Sequence, residues 1–401
     1  MINLIFNILN TNSLLIIIAL IMILGYISKL IFKLLKIPEV LILIVIGLIL
    51  VPIGHILPSS YTNILTALAP LFGSIALVVI LLGGSKEIHP KGKYVKSVEG
   101  VIFGTLDIVL SAALLAWIMN IIFKWPFIYG ALLGTIVGET TTIIVIDIIK
   151  RIKIPYATYD MLIMESTTNS VVSIVIFSIL LLLINNSALN LNLLSTYTVD
   201  FLSVGVFFGL IFGFVWLFFL NIFKSSKEYL AILAIALLLY GVTNLFNGAA
   251  IVAVFIFGLI VGNYKSLSKL LRINSQVNET EINITQKDIE FLLRTFFFVF
   301  IGMIAVLSLN YFEYAVFITL ILILIRYIEV FIFFRKDDKE YRSIAFSLLP
   351  RGTTAAVLST MLFAFGGFYF NIIFYLTFMI ILITNIIASI ALAYSSPKIK
   401  K

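Results

Sequence analysis

The sequence predicts an all-α polytopic membrane protein with about thirteen transmembrane helices, from its composition, its apolar segments and its distribution of basic residues. Of the 401 residues, 62% are hydrophobic and 11% are charged, and the mean hydropathy is +1.19. A soluble domain carries about 25% charged residues. This composition therefore excludes a soluble globular protein, a coiled coil, a disordered chain and a disulfide scaffold.

Thirteen apolar segments follow one another along the chain, and each is close to the roughly 20 residues that cross a bilayer as a helix. The segments are 14–33, 39–57, 65–84, 98–123, 127–150, 158–184, 200–223, 228–245, 249–263, 289–308, 311–334, 342–365 and 369–395. The longest polar stretch, 264–288, is predicted to be a cytoplasmic connector. We therefore expect a single transmembrane domain over residues 1–401 and no soluble domain.

The basic residues predict the orientation of the chain in the membrane. One set of alternate loops, together with the C-terminal tail, holds 23 of the 27 basic residues, whereas the opposite set holds Lys124 alone. Lysine and arginine are retained on the cytoplasmic side of a membrane. We therefore expect a multi-pass protein of the cell membrane, with its N-terminus outside, its C-terminus in the cytoplasm and an odd number of crossings.

The fifth and twelfth segments are both interrupted near their centres by residues that disfavour a transmembrane helix. The fifth contains Glu139 directly after a glycine, and the twelfth contains the run Pro350–Gly352. The two segments are seven apart, and an odd offset reverses direction through the membrane. We therefore predict two inverted six-helix repeats, 14–184 and 228–395, with a linker helix over 200–223 and with helices 5 and 12 broken. A matched pair of interrupted helices is typical of the binding site of a transporter.

Charged residues inside the segments indicate pairing or function, because each costs roughly 2.5–3.5 kcal/mol at the centre of a helix. Apart from other charges close to the segment ends, we take five acids and three bases as intramembrane: Asp107, Glu139, Asp147, Glu165, Glu329, Arg294, Arg326 and Arg351. An excess of carboxyl groups suits a site for a cation or a proton rather than for an anion.

Glu139 lies at the centre of the fifth segment and is the strongest candidate for an ion-binding group. Burial disfavours a charged carboxylate, so one group can hold either a proton or Na⁺. The neutral oxygen ligands expected beside it are Thr140, Thr141, Ser166, Asn169 and Ser170. The alternative is that Glu139 is a structural acid paired with Arg351.

Two ion pairs are expected among the other buried charges. Glu165 is expected to form a structural ion pair with Arg351 that ties the sixth segment to the twelfth. Arg326 and Glu329 are three residues apart on one helix face, so they are expected to pair with each other.

The remaining candidates have open or structural interpretations. Asp107 either pairs with a base or lines the ion pathway as a further acid. Asp147 and Arg294 lie near cytoplasmic ends, where their side chains can extend to the membrane surface. The GxxxGxxxG run that starts at Gly205 predicts a close helix-packing face, either within the chain or at a dimer contact.

Short motifs in a fixed order cover the whole membrane domain. They are Lys36–Leu41 leading into Gly47 and Pro52, then Gly83–Glu87, Ala131–Thr135, Glu165–Asn169, Ala253–Leu259, Phe297–Gly302 and Pro350–Gly352. In this order they resemble the monovalent cation/proton antiporter superfamily, in its archaeal and bacterial sodium/proton exchanger branch. The resemblance implies thirteen crossings, a homodimer and a core domain that moves like an elevator. Glu165 and Arg351 match the ion pair of that family.

The sequence departs from the pattern of that family at two places. The fifth helix of the family carries Thr-Asp-Pro or a close variant, where this chain reads Thr140-Thr141-Thr142. The sixth carries Asn-Asp, where this chain reads Asn169-Ser170. We interpret Glu139 as a relocated carboxylate that replaces the missing acids.

These features predict a monovalent cation/proton antiporter with an atypical ion site, exchanging Na⁺ for protons by alternating access. The chain has no cysteine and only two histidines, His55 and His89, so it offers no constellation for an enzyme or a metal cofactor. The expected partners are the transported Na⁺ and H⁺, the lipid bilayer and a second copy of the chain, and no nucleic acid. Two alternatives stay open, namely a degenerate paralogue that no longer couples ions and a transporter of another solute on the same scaffold.

Overall fold

The computed structural model describes residues 11–35, 38–54, 60–87, 95–141, 145, 154–185, 191–219, 228–270, 279–335 and 339–395. Across these ranges the chain forms fifteen α-helices and no strand, which confirms the all-α prediction. His55, His89, Thr142 and Asp147 lie outside the described residues.

The helices follow the predicted apolar segments closely. They are α1 Thr11–Leu35, α2 Glu39–Leu48, α3 Ser60–Glu87, α4 Val95–Phe123, α5 Phe127–Gly138, α6 Tyr156–Asn185, α7 Leu191–Phe219, α8 Glu228–Leu245, α9 Ala250–Gly262, α10 Tyr264–Leu270, α11 Glu279–Ile304, α12 Leu309–Phe333, α13 Lys339–Ser347, α14 Thr353–Met361 and α15 Phe368–Ser395. Helices α1 to α9 correspond in order to the first nine predicted segments, although α5 covers only the first half of 127–150. The short helix α10 lies in the predicted connector, and α13 and α14 share the twelfth segment.

Helices dominate because backbone polar groups have no water to bind in a bilayer, so each segment must satisfy its own. Six of the helices, α3, α4, α6, α7, α12 and α15, are each long and apolar enough to cross a membrane. The chain is therefore a multi-pass membrane protein. The number of thirteen crossings stays a prediction.

The helices pack in two groups. Helices α4, α5 and α6 pack together, and α12 to α15 complete this group, which we call the site bundle. Helices α1, α2, α3, α7, α8, α9 and α11 form the second group, the flanking helices, in which α2 lies against α11 and α7 against α9. The groups meet where α14 packs on α3 and where α6 contacts α3 and α9.

The glycine run of α7 is a helix-packing face within the chain. A Cβ atom added at Gly205 would lie 2.5 Å from the carbonyl oxygen of Ala249, and one at Gly209 would lie 2.7 Å from that of Ala253. Gly213 meets the side chain of Ile260 in the same way. Helix α9 therefore occupies this face, which confirms the predicted close packing within the chain.

Two helices end abruptly inside the site bundle. Helix α5 ends at Gly138, and Glu139 takes an extended conformation with φ −66° and ψ 131°. Helix α13 ends at Ser347 and α14 begins at Thr353, so residues 348–352 form a non-helical link within the predicted twelfth segment. These two breaks provide free backbone groups in the centre of the bundle.

Candidate functional site

The two helix breaks lie against each other and satisfy part of each other's backbone. The amide of Thr141 donates to the carbonyl oxygen of Pro350 at 3.3 Å. Nη1 of Arg351 donates to the carbonyl oxygen of Gly138 at 2.7 Å. A Cβ atom added at Gly352 would lie 2.2 Å from Cβ of Thr141, so only glycine permits this approach.

Glu139 is the first residue after α5, and its carboxyl group is fully buried between α6 and α14. Oε1 accepts a hydrogen bond of 2.8 Å from the Ser170 hydroxyl. Thr354 and the amide of Ala355, in the first turn of α14, lie beside the same carboxyl group. Oε2 has no hydrogen-bond partner among the described residues. Because a buried oxygen without a donor is costly, Oε2 is a position where a proton or a cation would be stabilising.

Asn169 of α6 connects the break after α5 to the acid on α4. Its Oδ1 accepts a 2.8 Å hydrogen bond from the amide of Thr140, and its Nδ2 donates to Oδ2 of Asp107 at 2.9 Å. Oδ1 of Asp107 lies 3.5 Å from the Ser111 hydroxyl, which donates to it. Asp107 is 1% exposed, so it belongs to the buried network around the break rather than to a surface.

The ion pair of Glu165 differs from the predicted one. Arg326 of α12, not Arg351, binds the Glu165 carboxylate, with Nη1 to Oε1 at 2.9 Å and Nη2 to Oε2 at 3.4 Å. The Thr140 hydroxyl also donates to Oε1 at 3.1 Å. The prediction is wrong because the Arg351 guanidinium is instead held at the end of α5, on the carbonyl oxygen of Gly138.

The predicted pair of Arg326 and Glu329 is also wrong. Arg326 donates from Nε and Nη2 to the carbonyl oxygen of Ala345, at 3.1 and 3.0 Å, and its guanidinium stacks 4.7 Å from the ring centre of Phe103. The guanidinium is thus engaged by Ala345 and Glu165, and none of its N–H groups bonds to Glu329. Neither carboxyl oxygen of Glu329 has a hydrogen-bond partner within the described part of the chain.

The main chain of Arg351 is fixed by α15, through residues that the sequence analysis did not select. The Arg351 amide donates to the hydroxyl of Thr384 at 3.2 Å, and its carbonyl oxygen accepts from Nδ2 of Asn385 at 2.8 Å. The sequence does contain a signal for them, since Thr384 and Asn385 are two adjacent polar residues in an otherwise apolar segment.

The predicted ligands lie together, with differing roles. Ser170 binds Glu139, whereas Thr140 and Asn169 bind each other and reach Glu165 and Asp107. The hydroxyl of Ser166 donates to the carbonyl oxygen of Ile163 at 3.2 Å, and its own carbonyl oxygen accepts from Ser170. The Thr141 side chain faces Gly352. Whether these groups bind an ion stays a prediction.

Two predicted peripheral charges have different outcomes. Arg294 forms a 3.0 Å ion pair with Glu39 of α2, its side chain is 19% exposed, and its predicted position toward the cytoplasmic edge stays a prediction. Asp147 lies outside the described residues.

Comparison with known proteins identifies the family of this chain and supports its fold. The transmembrane sodium/hydrogen exchanger family matches residues 16–394. The chain belongs to this family. The resemblance to monovalent cation/proton antiporters is thereby confirmed.

Two solved structures share the fold of this family member. One is the sodium proton antiporter MjNhaP1 from Methanocaldococcus jannaschii at pH 8, with a TM-score of 0.78, 23% identity, and coverage of 95% of this chain and 97% of that one. The other, from an electron-microscopy map of the same antiporter, has a TM-score of 0.75 at 23% identity, with coverage of 98% and 99%. This match supports the arrangement of the helices.

The alignments with curated relatives cover less of each chain than the structural matches do. The K⁺/H⁺ antiporter NhaP of Alkalimonas amylolytica is 28% identical over 202 residues, which are 48% of this chain and 34% of the relative. The K⁺/H⁺ antiporter NhaP2 of Shewanella sp. strain ANA-3 is 23% identical over 235 residues, 57% of this chain and 40% of the relative. The match thus spans less than half the length of these relatives.

Proposed function

We propose that this exchanger-family member transports a monovalent cation, with Na⁺ as the first choice, in exchange for protons across the cell membrane. The observation that carries the proposal is the unpartnered Oε2 of Glu139, fully buried at a helix break. Because one carboxylate cannot hold a proton and a cation together, competition for Glu139 is sufficient for exchange. No cofactor is needed beyond the two transported ions.

The surroundings of Glu139 are those that a small hard cation requires. Such ions prefer oxygen ligands, and the predicted set of hydroxyl, amide and carbonyl oxygens surrounds the break. Ser170 already binds Oε1 and so holds the carboxylate in place, and no donor in the described residues meets hydrogen-bond geometry at Oε2. Thr354, in the first turn of α14, is a further oxygen beside the same carboxyl group.

A charge count supports one-for-one exchange. With the buried acid Glu329 neutral, Asp107, Glu139 and Glu165 carry three negative charges when ionised, and the buried Arg326 and Arg351 carry two positive charges. One proton or one monovalent cation therefore neutralises the group. We expect exchange without net current, and a current in voltage-clamped liposomes at matched gradients would contradict this stoichiometry.

The proposed mechanism is alternating access with an elevator-like movement of the site bundle against the flanking helices. All the candidate ligands lie on helices or breaks of the site bundle, so this group can move as the carrier. The inverted repeats 14–184 and 228–395, the homodimer and the topology with an external N-terminus are parts of this proposal.

A flux experiment in proteoliposomes identifies the transported cation. A pH-sensitive dye reports proton movement on addition of Na⁺, Li⁺ or K⁺ to wild type, to Glu139→Gln and to Glu313→Gln. Glu313 lies exposed near the start of α12, so its variant is a matched control for loss of a carboxyl group. We expect Na⁺-dependent flux in wild type and the control, and none in Glu139→Gln.

Other results would replace the proposal in part or whole. Flux with K⁺ alone would assign the cation named for the NhaP relatives. No flux with any cation in folded wild type would support the degenerate paralogue, for which the missing aspartates at positions 141 and 170 are the supporting observation. Flux that survives Glu139→Gln would move the site to Asp107 or Glu165.

A further inference from the structure

Glu329 is a buried acid that has no role in the exchange mechanism proposed above. It is 1% exposed on α12, and neither of its carboxyl oxygens has a hydrogen-bond partner in the described ranges. A carboxylate in that position is strongly disfavoured, whereas the neutral acid is tolerated. An ionised Glu329 would therefore have no stabilising partner in the described conformation.

The buried charged groups that interact electrostatically with Glu329 come from several packed elements. They are Asp107 on α4, Glu165 on α6, Arg351 in the link before α14 and Arg326 on α12 itself. Helix α15 also packs on α12 and has no charged residue. On α13, the guanidinium of Arg342 binds the carbonyl oxygen of Arg335.

Arg326 is the base placed to respond to a charge on Glu329. The two residues are i and i+3 on α12, a spacing at which helical side chains can meet. In the described state Arg326 is committed to Glu165 and to the carbonyl oxygen of Ala345. An ionised Glu329 would compete with Glu165 for the same guanidinium, and a neutral one would not.

We propose that Glu329 is a positioning residue whose proton decides whether Arg326 holds Glu165. With the proton in place, Arg326 binds Glu165, which accepts the hydroxyl of Thr140 at 3.1 Å. When Glu329 releases its proton to water, its carboxylate draws Arg326 away, and Glu165 loses its counter-charge. Since Thr140 directly follows Glu139, the ion-binding segment loses an anchor. Exchange therefore declines as the pH rises.

The test compares Glu329→Gln, which is permanently neutral, with Glu329→Asp and with the matched control Glu313→Gln on the same helix. Two readouts are taken across neutral and alkaline pH: the exchange rate in proteoliposomes, which rests on the proposed function, and the thermal unfolding temperature in detergent, which does not. We expect Glu329→Gln to retain its rate and its unfolding temperature over about one pH unit beyond the wild-type decline. Glu313→Gln should follow wild type.

The unfolding temperature of wild type should change with pH in a defined direction. The folded state favours the neutral acid and the unfolded state exposes an ordinary carboxyl group, so ionisation lowers wild-type stability as the pH rises. Glu329→Gln removes that loss. Glu329→Asp keeps an ionisable group on a shorter side chain, so its decline should persist at a displaced pH.

Identical pH dependence of unfolding in wild type and Glu329→Gln would overturn the proposal. If Glu329→Gln does not fold, a decline in Glu329→Asp at the wild-type pH would overturn it instead. Absence of flux in every variant, with the expected unfolding curves, would reject the exchange function and leave the role of Glu329 in place.

Discussion

The carboxylate of Glu165 on α6 is bound by the guanidinium of Arg326 on α12, with Nη1 and Oε1 2.9 Å apart and both side chains fully buried. This pair joins the two halves of the site bundle beside the break after α5. Because Glu165 also accepts the Thr140 hydroxyl, the pair fixes the extended segment that contains the candidate ion-binding acid.

Removal of one partner from this buried pair should be strongly destabilising. We expect Arg326→Ala to lower the free energy of unfolding by about 3–5 kcal/mol, because it leaves the Glu165 charge uncompensated. Thermal unfolding followed by size-exclusion chromatography measures this loss. The control is Arg294→Ala, whose ion pair with Glu39 is partly exposed and should contribute little. Equal losses in the two variants would contradict the structural role of the pair.

Loss of the Asn169 side chain should reduce exchange without unfolding the protein. Asn169→Ala removes the acceptor for the Thr140 amide and the donor to Asp107, each worth about 1 kcal/mol or more when buried. We expect the exchange rate to fall at least about tenfold. The control is Ser173→Ala, which loses only a hydrogen bond to the carbonyl oxygen of Thr135. A rate for Asn169→Ala equal to that of Ser173→Ala would remove Asn169 from the site.

Ser170 should affect affinity for the cation more than the maximal rate. Its hydroxyl positions Oε1 of Glu139, so Ser170→Ala leaves the carboxylate mobile and less well placed. We expect a rise in the apparent KM for the cation of about tenfold, corresponding to roughly 1.4 kcal/mol. Initial rates over a series of cation concentrations give this value. An unchanged KM would show that Ser170 is neither a ligand nor a support for Glu139.

The contact between Gly352 and Thr141 gives a rescue experiment. Gly352→Ala should impair folding and exchange, because its Cβ would lie 2.2 Å from Cβ of Thr141. The double variant Gly352→Ala, Thr141→Gly removes the Thr141 side-chain atoms nearest to the new Cβ, so it should regain folded protein. Gly84→Ala is the control, since no atom lies within 4 Å of a Cβ added there. A double variant that folds no better than Gly352→Ala would contradict the described crossing of the breaks.

Much of the fold could be predicted from the sequence because membrane helices obey local rules. Apolar length located each segment, and glycine, proline and charge at Glu139 and at Pro350–Gly352 marked where helices end. Of the neutral oxygens predicted on α6, Ser170 binds Glu139 in the structure, and Asn169, one residue before it, binds the adjacent Thr140 amide.

The partners of the buried charges could not be predicted in the same way. Glu165 and Arg326 are 161 residues apart, and with three bases available no local pattern selects one. Helical spacing favoured Arg326 with Glu329, but the guanidinium instead binds Glu165 and Ala345 across the bundle. Thr354 was also missed as a neighbour of Glu139, because only the meeting of the two breaks brings α14 to that carboxyl group.

Proton release on cation binding tests the central claim most directly. Purified wild type in weakly buffered detergent solution is titrated with Na⁺, and in parallel with K⁺, while a pH indicator counts protons released per chain. If one carboxyl group at Glu139 binds either ion, wild type and Glu313→Gln release protons on addition of the transported cation, and Glu139→Gln releases none. Undiminished release from folded Glu139→Gln would contradict the assignment of Glu139 as the shared site.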